Sequence, residues 1–300
     1  MRVLVTGGAG FIGSHLVDAL LGRGDEVTVV DDLSTGRRDR VPAEARFLAA
    51  DICDPGVAGL LADVQPDRVY HLAARASVSA SIKDPPEDAR TNLLGTVCLA
   101  TAAAEAGARF TFASSAAVYG RPESVPLGED ARIRPLSPYG AGKAAAETYL
   151  STLRETRGLA SVSLRFANVY GPRQDAHGEA GVVAVFCAAL KAGQPLTIHG
   201  DGGQTRDFIY VTDVVSAILA ASNGLEGPLN VGAGVETSIR ELATAACEVA
   251  GRPPSFLSGP ARVGDIERSA LDATRLRQAT AWAPATDLRP GLAATLADLR

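Results

Sequence analysis

The stretch "RVLVTGGAGFIGSHLVDALLG", residues 2–22, decides the reading of this chain. "RVLVTG" is a short β-branched run that ends in glycine, which predicts a buried strand. "FIGSHLVDALLGRG" has helical periodicity and stops at Gly22 and Gly24. The turn between them fits G-x-G-x-x-G as Gly8, Gly10 and Gly13, or a wider spacing as Gly7, Gly10 and Gly13. A glycine pattern alone is weak. After a strand and before a helix, it brings backbone N–H groups and a helix N-terminus close to a pyrophosphate. The competing reading is a turn with no ligand.

Working outward, "EVTVVDD" is the next strand, and further strands are expected at 45–50, 67–74, 109–115 and 161–168, with helices at 55–64, 86–106 and 139–156. Strands alternating with helices predict a Rossmann-type, doubly wound parallel α/β sheet. After Gly171 the rhythm changes. A helix at 181–192, the strand "PLTIHG", the turn "DGGQT", the strand "RDFIYV", a helix, the strand "GPLNVGAG" and a mostly helical tail predict a smaller α/β lobe. The expected division is a dinucleotide domain over 1–170 with a return segment 207–234, and a substrate lobe over 171–206 and 235–300.

Composition narrows the class. The 300 residues are 46% hydrophobic and 21% charged, which fits a globular protein with a sizeable core. A net charge of −5 argues against nucleic acid or an anionic membrane as the main partner. Cys53, Cys98, Cys187 and Cys247 have no C-x-x-C spacing and read as reduced, buried thiols of a cytoplasmic protein. The chain opens directly into a strand, so no signal peptide is read, and "VVAVFCAAL" is too short to span a bilayer. The four histidines show no metal-ligand spacing, so no metal is expected.

Asp31 ends the second strand, 18 residues after Gly13, where an acid can bond a ribose 2′-hydroxyl; Asp32 adds to the same charge. Together they favour NAD over NADP, while Arg37 and Arg38 just beyond are the counter-signal for a 2′-phosphate. Asp51 is placed either to meet the adenine edge or to cap a helix.

"LSPYGAGKAAAETYL", 136–150, reads as a helix with Pro138 in its first turn. Tyr139 and Lys143 are four apart and share a face. Bringing a phenol from its ordinary pKa of about 10 to about 7 needs roughly 4 kcal/mol. An ammonium ~4 Å away at an effective dielectric near 20 supplies about that much. The pair therefore reads as a general acid/base, and Gly140 and Gly142 between them as room for a ligand. The bland alternative is a buried tyrosine with an unrelated lysine. Ser114 and Ser115 end the strand "RFTFASS" at the carboxyl edge of the sheet, where a hydroxyl can relay a substrate proton to Tyr139.

With "HLAA", "NLLGT", "SSAAVYG", "SPYGAGK", "RFANVYGPRQ" and "GDGGQTRDFIYVTDV" added to "VTGGAGFIG", nearly the whole chain resembles the extended short-chain dehydrogenase/reductases. More narrowly it is similar to the NAD-dependent sugar-nucleotide epimerases of the UDP-glucose (UDP-galactose) 4-epimerase type. The resemblance implies Tyr139 as base, Lys143 as its cation and ribose holder, and Ser115 as hydroxyl partner, with Ser114 beside the cofactor. It implies cofactor contacts at Phe11, Ile12, Asp31, Asp51, Ile52, Leu72, Ala73, Ala74 and Asn92, and a pyrophosphate contact at Lys83. In the substrate lobe it implies Asn168, Arg206, Arg262 and Asp265 on the nucleoside diphosphate-sugar, and Thr197 and His199 near the base ring. Two arginines suit two phosphates.

The implied reaction is C4 epimerisation of a UDP-hexose through a transient 4-keto sugar. Related 4,6-dehydratases carry an acidic pair where this chain has Ala116 and Ala117, and decarboxylating relatives also carry an acid there, so both alternatives lack a carboxylate here. Ser269, at a gatekeeper position, implies tolerance of N-acetylhexosamines. UDP-glucuronate is disfavoured by Asn168, and an oxidoreductase that releases its cofactor stays as the competing class. By resemblance, the Ala-rich helices 86–106 and 139–156 imply a homodimer.

Overall fold

The computed structural model of the chain describes residues 1–175, 181–261 and 265–299. β1 (Arg2–Thr6) is buried from Val3 to Thr6 and lies inside a seven-stranded sheet, next to its central strand. With β2 (Glu26–Asp31), β3 (Arg46–Ala49), β4 (Arg68–His71), β5 (Arg109–Ser115), β6 (Ser161–Phe166) and β11 (Gly227–Val231), the strand order is β11-β6-β5-β4-β1-β2-β3. Pairing from β3 through β2, β1 and β4 to β5 is parallel. This is the expected doubly wound order, and it reverses direction between β1 and β4, where such sheets bind ligands.

Helices α1 (Phe11–Gly22), α2 (Val57–Val64), α5 (Thr96–Glu105) and α6 (Pro138–Arg157) serve this sheet. Leu61, Leu99, Ala103 and Leu150 pack with Val69, Phe110 and Phe112 in one core. The expected helix at 86–106 is three pieces: α4 (Pro85–Ala89), a π-helical turn (Arg90–Gly95) and α5. Gly95 explains the packing of that turn, because a Cβ there would stand 2.9 Å from Cys53 Sγ and 3.0 Å from Ile52 Cδ1. The sequence reading missed α3 (Val78–Lys83), a six-residue helix capped by Ser77.

α6 has a complete set of end signals. The Ser137 side chain accepts from Gly140 N at 3.1 Å, Pro138 opens the first turn, and Gly158 closes the helix in the left-handed region. Its internal glycines serve a purpose different from the expected one. A Cβ at Gly140 would sit 2.6 Å from the Ala117 carbonyl oxygen; one at Gly142 would meet Asn92 Cβ and Asp88 Oδ2 at 3.5 Å. The bare face of α6 is filled by the chain itself.

The chain divides into two compact units: Met1–Gly120, Arg132–Arg165 and Val215–Leu229 in one, and Arg121–Ala131, Phe166–Val214 and Asn230–Arg300 in the other. Residues 121–131, 166–170, 207–214 and 230–234 thus group with the second unit, beyond the bounds expected from sequence. That unit has its own core. Phe186, Cys187 and Leu190 of α7 (Val182–Lys191) meet Leu242, Ala246 and Cys247 of α9 (Ile239–Val249). Small ladders complete it. β7 (Asn168–Tyr170) runs parallel to β10 (Phe208–Tyr210), and β8 (Leu196–His199) runs parallel to β13 (Phe256–Gly259), a strand absent from the sequence reading. The two-residue strands β9 (Thr205–Arg206) and β12 (Thr237–Ser238) pair antiparallel.

The cysteines depart from expectation in one respect. Cys187 and Cys247 are buried, but Cys53 is half-buried and Cys98 is exposed. Leu99, Ala100, Ala102 and Ala103 take the inward face of α5 and leave Cys98 outside. Among the described residues, no helix is long and apolar enough to cross a membrane.

The two α6 glycines give a stability test. Gly140→Ala drives a methyl into a backbone carbonyl and is expected to destabilise by about 1–3 kcal/mol. Gly142→Ala meets ordinary contacts and gains helix propensity, so it is expected to be neutral or to stabilise by up to about 1 kcal/mol. Urea unfolding of both variants separates them, and equal losses would contradict this packing.

Candidate active site

The glycine turn lies at the sheet's switch point. Gly7 has φ of 72°, and a Cβ on it would come within 2.5 Å of Ala73 N, so the loop after β4 closes directly over it. A Cβ on Gly13 would fall 2.0 Å from Gly7 O. Gly7 and Gly13 are therefore sterically required against backbone atoms, and Gly8 against the Val29 side chain at 2.7 Å, so both glycine spacings are held. Gly10, the N-cap of α1, provides no side-chain cap, so the first-turn N–H groups at Phe11 and Ile12 can serve an anion. This cradle fits the pyrophosphate of a dinucleotide.

Asp31 occupies the end of β2 as expected. Its oxygens accept Ala9 N at 3.0 Å and Leu33 N at 2.9 Å, which orients the carboxylate and leaves it lone pairs for ribose hydroxyls. Burial raises its pKa despite those two bonds. Asp32 is exposed and spends its carboxylate on Ser34 N and Oγ, at 2.9 and 2.7 Å. The phosphate counter-signal weakens, because Arg37 pairs with Asp39 at 2.6 Å while Arg38 bonds Val41 O and stacks on Phe47. Asp51 caps no helix, since α2 starts at Val57; it accepts Cys53 N at 2.9 Å and Arg90 at 2.8 Å. Burial opposes those bonds, and they prevail, leaving Asp51 below its ordinary pKa. Ile52 is buried against Gly95. Lys83 is exposed in the last turn of α3. Arg75, directly after Leu72, Ala73 and Ala74, is a cation the sequence reading passed over.

A buried polar chain ties the turn to the π-helical segment. The Thr96 hydroxyl donates to Asn92 O at 2.9 Å, so it must accept from His71 Nε2 at 2.8 Å. His71 Nδ1 is then unprotonated and accepts from Thr6 Oγ1 at 2.7 Å. One tautomer satisfies every member. The Asn92 side chain, fully buried, bonds the backbone N and O of Arg75 at 3.0 Å each and Asp88 Oδ1 at 2.8 Å. Asn92 acts by fixing the loop after β4.

Tyr139, Lys143 and Glu147 follow one another at four-residue intervals on α6. Lys143 is 2% exposed; its Nζ donates to Ala113 O at 2.8 Å and stands 4.6 Å from the Phe112 ring centre and 5.9 Å from that of Tyr139. Burial lowers its pKa to about 8, against Asp88 and Glu147, which raise it. Ser115 Oγ accepts Ala117 N at 3.1 Å, and its hydrogen bond with the Tyr139 phenol favours the phenolate. The expectation is that Lys143 and a cationic nicotinamide ring together lower the Tyr139 pKa; in the chain by itself the phenol stands above its ordinary value. Burial comes first and raises the phenol pKa, Ser115 opposes it, and the charge of Asp88 adds to the rise. The simple Coulomb argument counted the cation and left out desolvation.

Ser114 points away from Ser115 by strand alternation. Its hydroxyl donates to Glu147 Oε1 at 2.5 Å, and Glu147 holds buried Arg165 at 2.6 Å. Arg165 in turn bonds the Tyr119 phenol at 2.9 Å. The side chain of Ser114 is thus committed within the protein. This cluster was invisible in sequence because its members are far apart along the chain.

In the second unit, Arg206 donates to Thr205 O and Ile266 O at 2.7 Å each and pairs with Asp265. Asp207, behind it, accepts N–H groups of Ala233, Gly234 and Leu271, and burial raises its pKa to about 6. Thr197 and His199 occupy alternate positions of β8, and His199 Nδ1 donates to Pro260 O at 3.0 Å. Asn168 is exposed at the start of β7. Arg262 lies outside the described residues.

A strand-order reversal, a glycine cradle, an acid at the end of β2 and a tyrosine–lysine pair define a dinucleotide-dependent enzyme class. The chain belongs to the NAD-dependent epimerase/dehydratase family, whose model matches residues 3–232. It is 48% identical over 305 aligned positions to the UDP-glucose 4-epimerase of Mycolicibacterium smegmatis, covering 99% of this chain and 97% of that one. Among solved structures, the UDP-glucose 4-epimerase of Thermotoga maritima with UDP-glucose superimposes with a TM-score of 0.97 at 40% identity, over 99% of this chain and 98% of that one. The Thermus thermophilus UDP-glucose 4-epimerase in complex with NAD does so with a TM-score of 0.94 at 46% identity and the same coverage.

The buried histidine yields a pH prediction. Burial lowers the pKa of His71 to about 3, below the 6.5 of an exposed imidazole. Between those values the unfolded chain binds a proton that the folded chain refuses, so this contribution to stability falls as pH falls, by about 1.4 kcal/mol per unit. His71→Gln is expected to be less stable at pH 7 and to show a shallower loss between pH 6.5 and 4.5. Urea midpoints across that range check it; parallel slopes would show that His71 is not the group refusing the proton.

Proposed function

We propose that the chain interconverts the C4 epimers of a UDP-hexose, with UDP-glucose and UDP-galactose as the pair, through a 4-keto sugar. The observation that carries the reading is the Tyr139–Ser115–Lys143 cluster, with the phenol bonded to one hydroxyl and one turn from a buried ammonium. NAD is the cofactor, and when bound it supplies reversible two-electron chemistry at C4 and a cationic ring. Tyr139 Oη takes the proton of the sugar 4-hydroxyl and returns it. Ser115 Oγ, fixed by Ala117 N, orients the reacting hydroxyl. Lys143 keeps positive charge beside the phenol and holds the cofactor's ribose. Gly7, Gly10, Phe11, Ile12 and Gly13 receive the pyrophosphate, and Asp31 the adenosine ribose. In the second unit Arg206 binds the diphosphate, with Asn168, Thr197, His199 and Asp265 on the rest of the nucleotide sugar.

Net redox is zero, so the enzyme needs no added cofactor once loaded. That property separates it from an oxidoreductase that releases its nicotinamide. Ala116 and Ala117 form a short helical turn after Ser115 and bring no carboxylate to it, which speaks against elimination. Ser269 favours a second substrate, an N-acetylhexosamine, because a small side chain there leaves room. We further propose a cytoplasmic homodimer. Leu94, beside α5, and Tyr149 of α6 are large side chains at least half exposed on the helices that would pair.

Purified protein incubated with UDP-glucose and no added NAD is expected to form UDP-galactose. Tyr139→Phe is expected to lose about 10²–10⁴-fold in kcat while still retaining NAD. Failure to epimerise UDP-glucose, UDP-N-acetylglucosamine or UDP-glucuronate would overturn the reading. An unchanged rate in Tyr139→Phe would refute its chemistry. Ser269→Tyr is expected to abolish N-acetyl turnover and spare UDP-glucose, and sedimentation at micromolar concentration is expected to give twice the chain mass.

A further inference from the structure

We propose that Asp88 is a positioning residue of this site: its carboxylate, buried where α4 packs on α6, keeps the Lys143 ammonium charged and holds the Asn92 amide in place. The proposal rests on the reading of Tyr139 and Lys143 given above. Asp88 is 1% exposed, at the end of α4. Its Oδ1 accepts from Asn92 Nδ2 at 2.8 Å. Its Oδ2 is buried with no hydrogen-bond partner and lies 3.5 Å from where a Cβ of Gly142 would stand, on the bare face of α6 between Tyr139 and Lys143.

A carboxylate oxygen left dry and unbonded is unfavourable unless a nearby cation compensates it. Burial raises the Asp88 carboxyl above its ordinary pKa, and the Asn92 hydrogen bond and two cations, Lys143 from α6 and Arg75 from the loop after β4, act against that rise. Arg75 is also drawn to Glu87, at 3.8 Å. Lys143 is faced by Asp88 from α4, by Glu147 and Tyr139 from its own helix and by His71 from β4. Glu147 is committed to Arg165 and Ser114, and His71 is neutral. Asp88 is the first of the groups that oppose the effect of burial on Lys143. Asp88 thereby reaches α6 beside Gly142, at ordinary contact distance.

The chain has three lysines, Lys83, Lys143 and Lys191. In protein labelled with 13Cε-lysine, the Lys143 signal is the one that survives both Lys83→Arg and Lys191→Arg, and its titration reads the ammonium directly. In the wild type its midpoint is expected near 8. Asp88→Asn keeps the size and an acceptor for Asn92 but removes the charge; Asp88→Ser does so with less bulk. Either variant, once folded by circular dichroism, is expected to titrate Lys143 at least half a unit lower, a threefold or greater rise in its acidity. The alkaline limb of kcat on UDP-glucose is expected to move the same way. A merely structural Asp88 would lower the melting temperature and leave both midpoints in place, and that result would overturn the proposal. Wild-type protein that turns over no UDP-sugar, with the lysine shift still present, would instead refute the functional reading alone.

Discussion

Lys143 carries its ammonium into a site that is 2% exposed, and much of the first unit is arranged around that fact. Desolvating an ammonium is costly, and the chain offsets this with the Ala113 carbonyl, the Phe112 ring face and the nearby carboxylates of Asp88 and Glu147. The ring of Phe112 stacks on His71, and His71 links Thr6 at the end of β1 to Thr96 at the start of α5. The cation, the nucleotide turn and the π-helical segment are therefore parts of one polar network. A single tautomer of His71 satisfies Thr6, Thr96 and the imidazole together, and Asp88 Oδ2 is the oxygen of this network that no hydrogen bond reaches.

Burial acts on the two reacting side chains in opposite senses. It lowers Lys143, which is nevertheless still mainly ammonium at neutral pH, and it raises Tyr139, which is therefore a phenol. The chain by itself holds the acid form of the pair. Making a phenolate requires more positive charge near Oη than Lys143 alone contributes, and the Ser115 hydroxyl stabilises the ion once formed. Desolvation strengthens each such interaction when a compensating charge arrives. The pair thus retains its proton until the charge balance changes.

What could be read from sequence was what is local. The glycine turn, Asp31 and the four-residue spacing of Tyr139 and Lys143 each follow from neighbours on a strand or helix, and the alternation of elements gave the sheet. Features that depend on distant pairs could not be read this way. Glu147 looked like an ordinary helix residue until Arg165 and Ser114 were brought to it. No spacing or motif marks Asp88, and the π-helical turn at Arg90–Gly95 has no periodicity of its own. Arg121–Ala131 reads as a loop of the first unit, but it belongs with the second, where Glu129 bonds Asn230 N at 2.9 Å. The tyrosine pKa divides the same way: spacing gives proximity, whereas burial belongs to the whole fold.

The carboxylates bear on which chemistry the first unit can perform. Elimination or decarboxylation at a sugar needs an acid or base beyond the one that handles the 4-hydroxyl. Near Ser115 the adjacent turn is Ala116 and Ala117. Glu147 is neutralised by Arg165, and Asp88 is bonded by Asn92 and faces the ammonium. Among the described residues of this cluster, Tyr139 with its Ser115 partner is what remains to carry a proton. A lone proton carrier suits a reaction that takes the 4-hydroxyl proton and returns it, and it lacks the second acid or base that elimination needs. The family contains several chemistries, and this accounting of charge, more than the fold they share, speaks against the eliminating and decarboxylating ones.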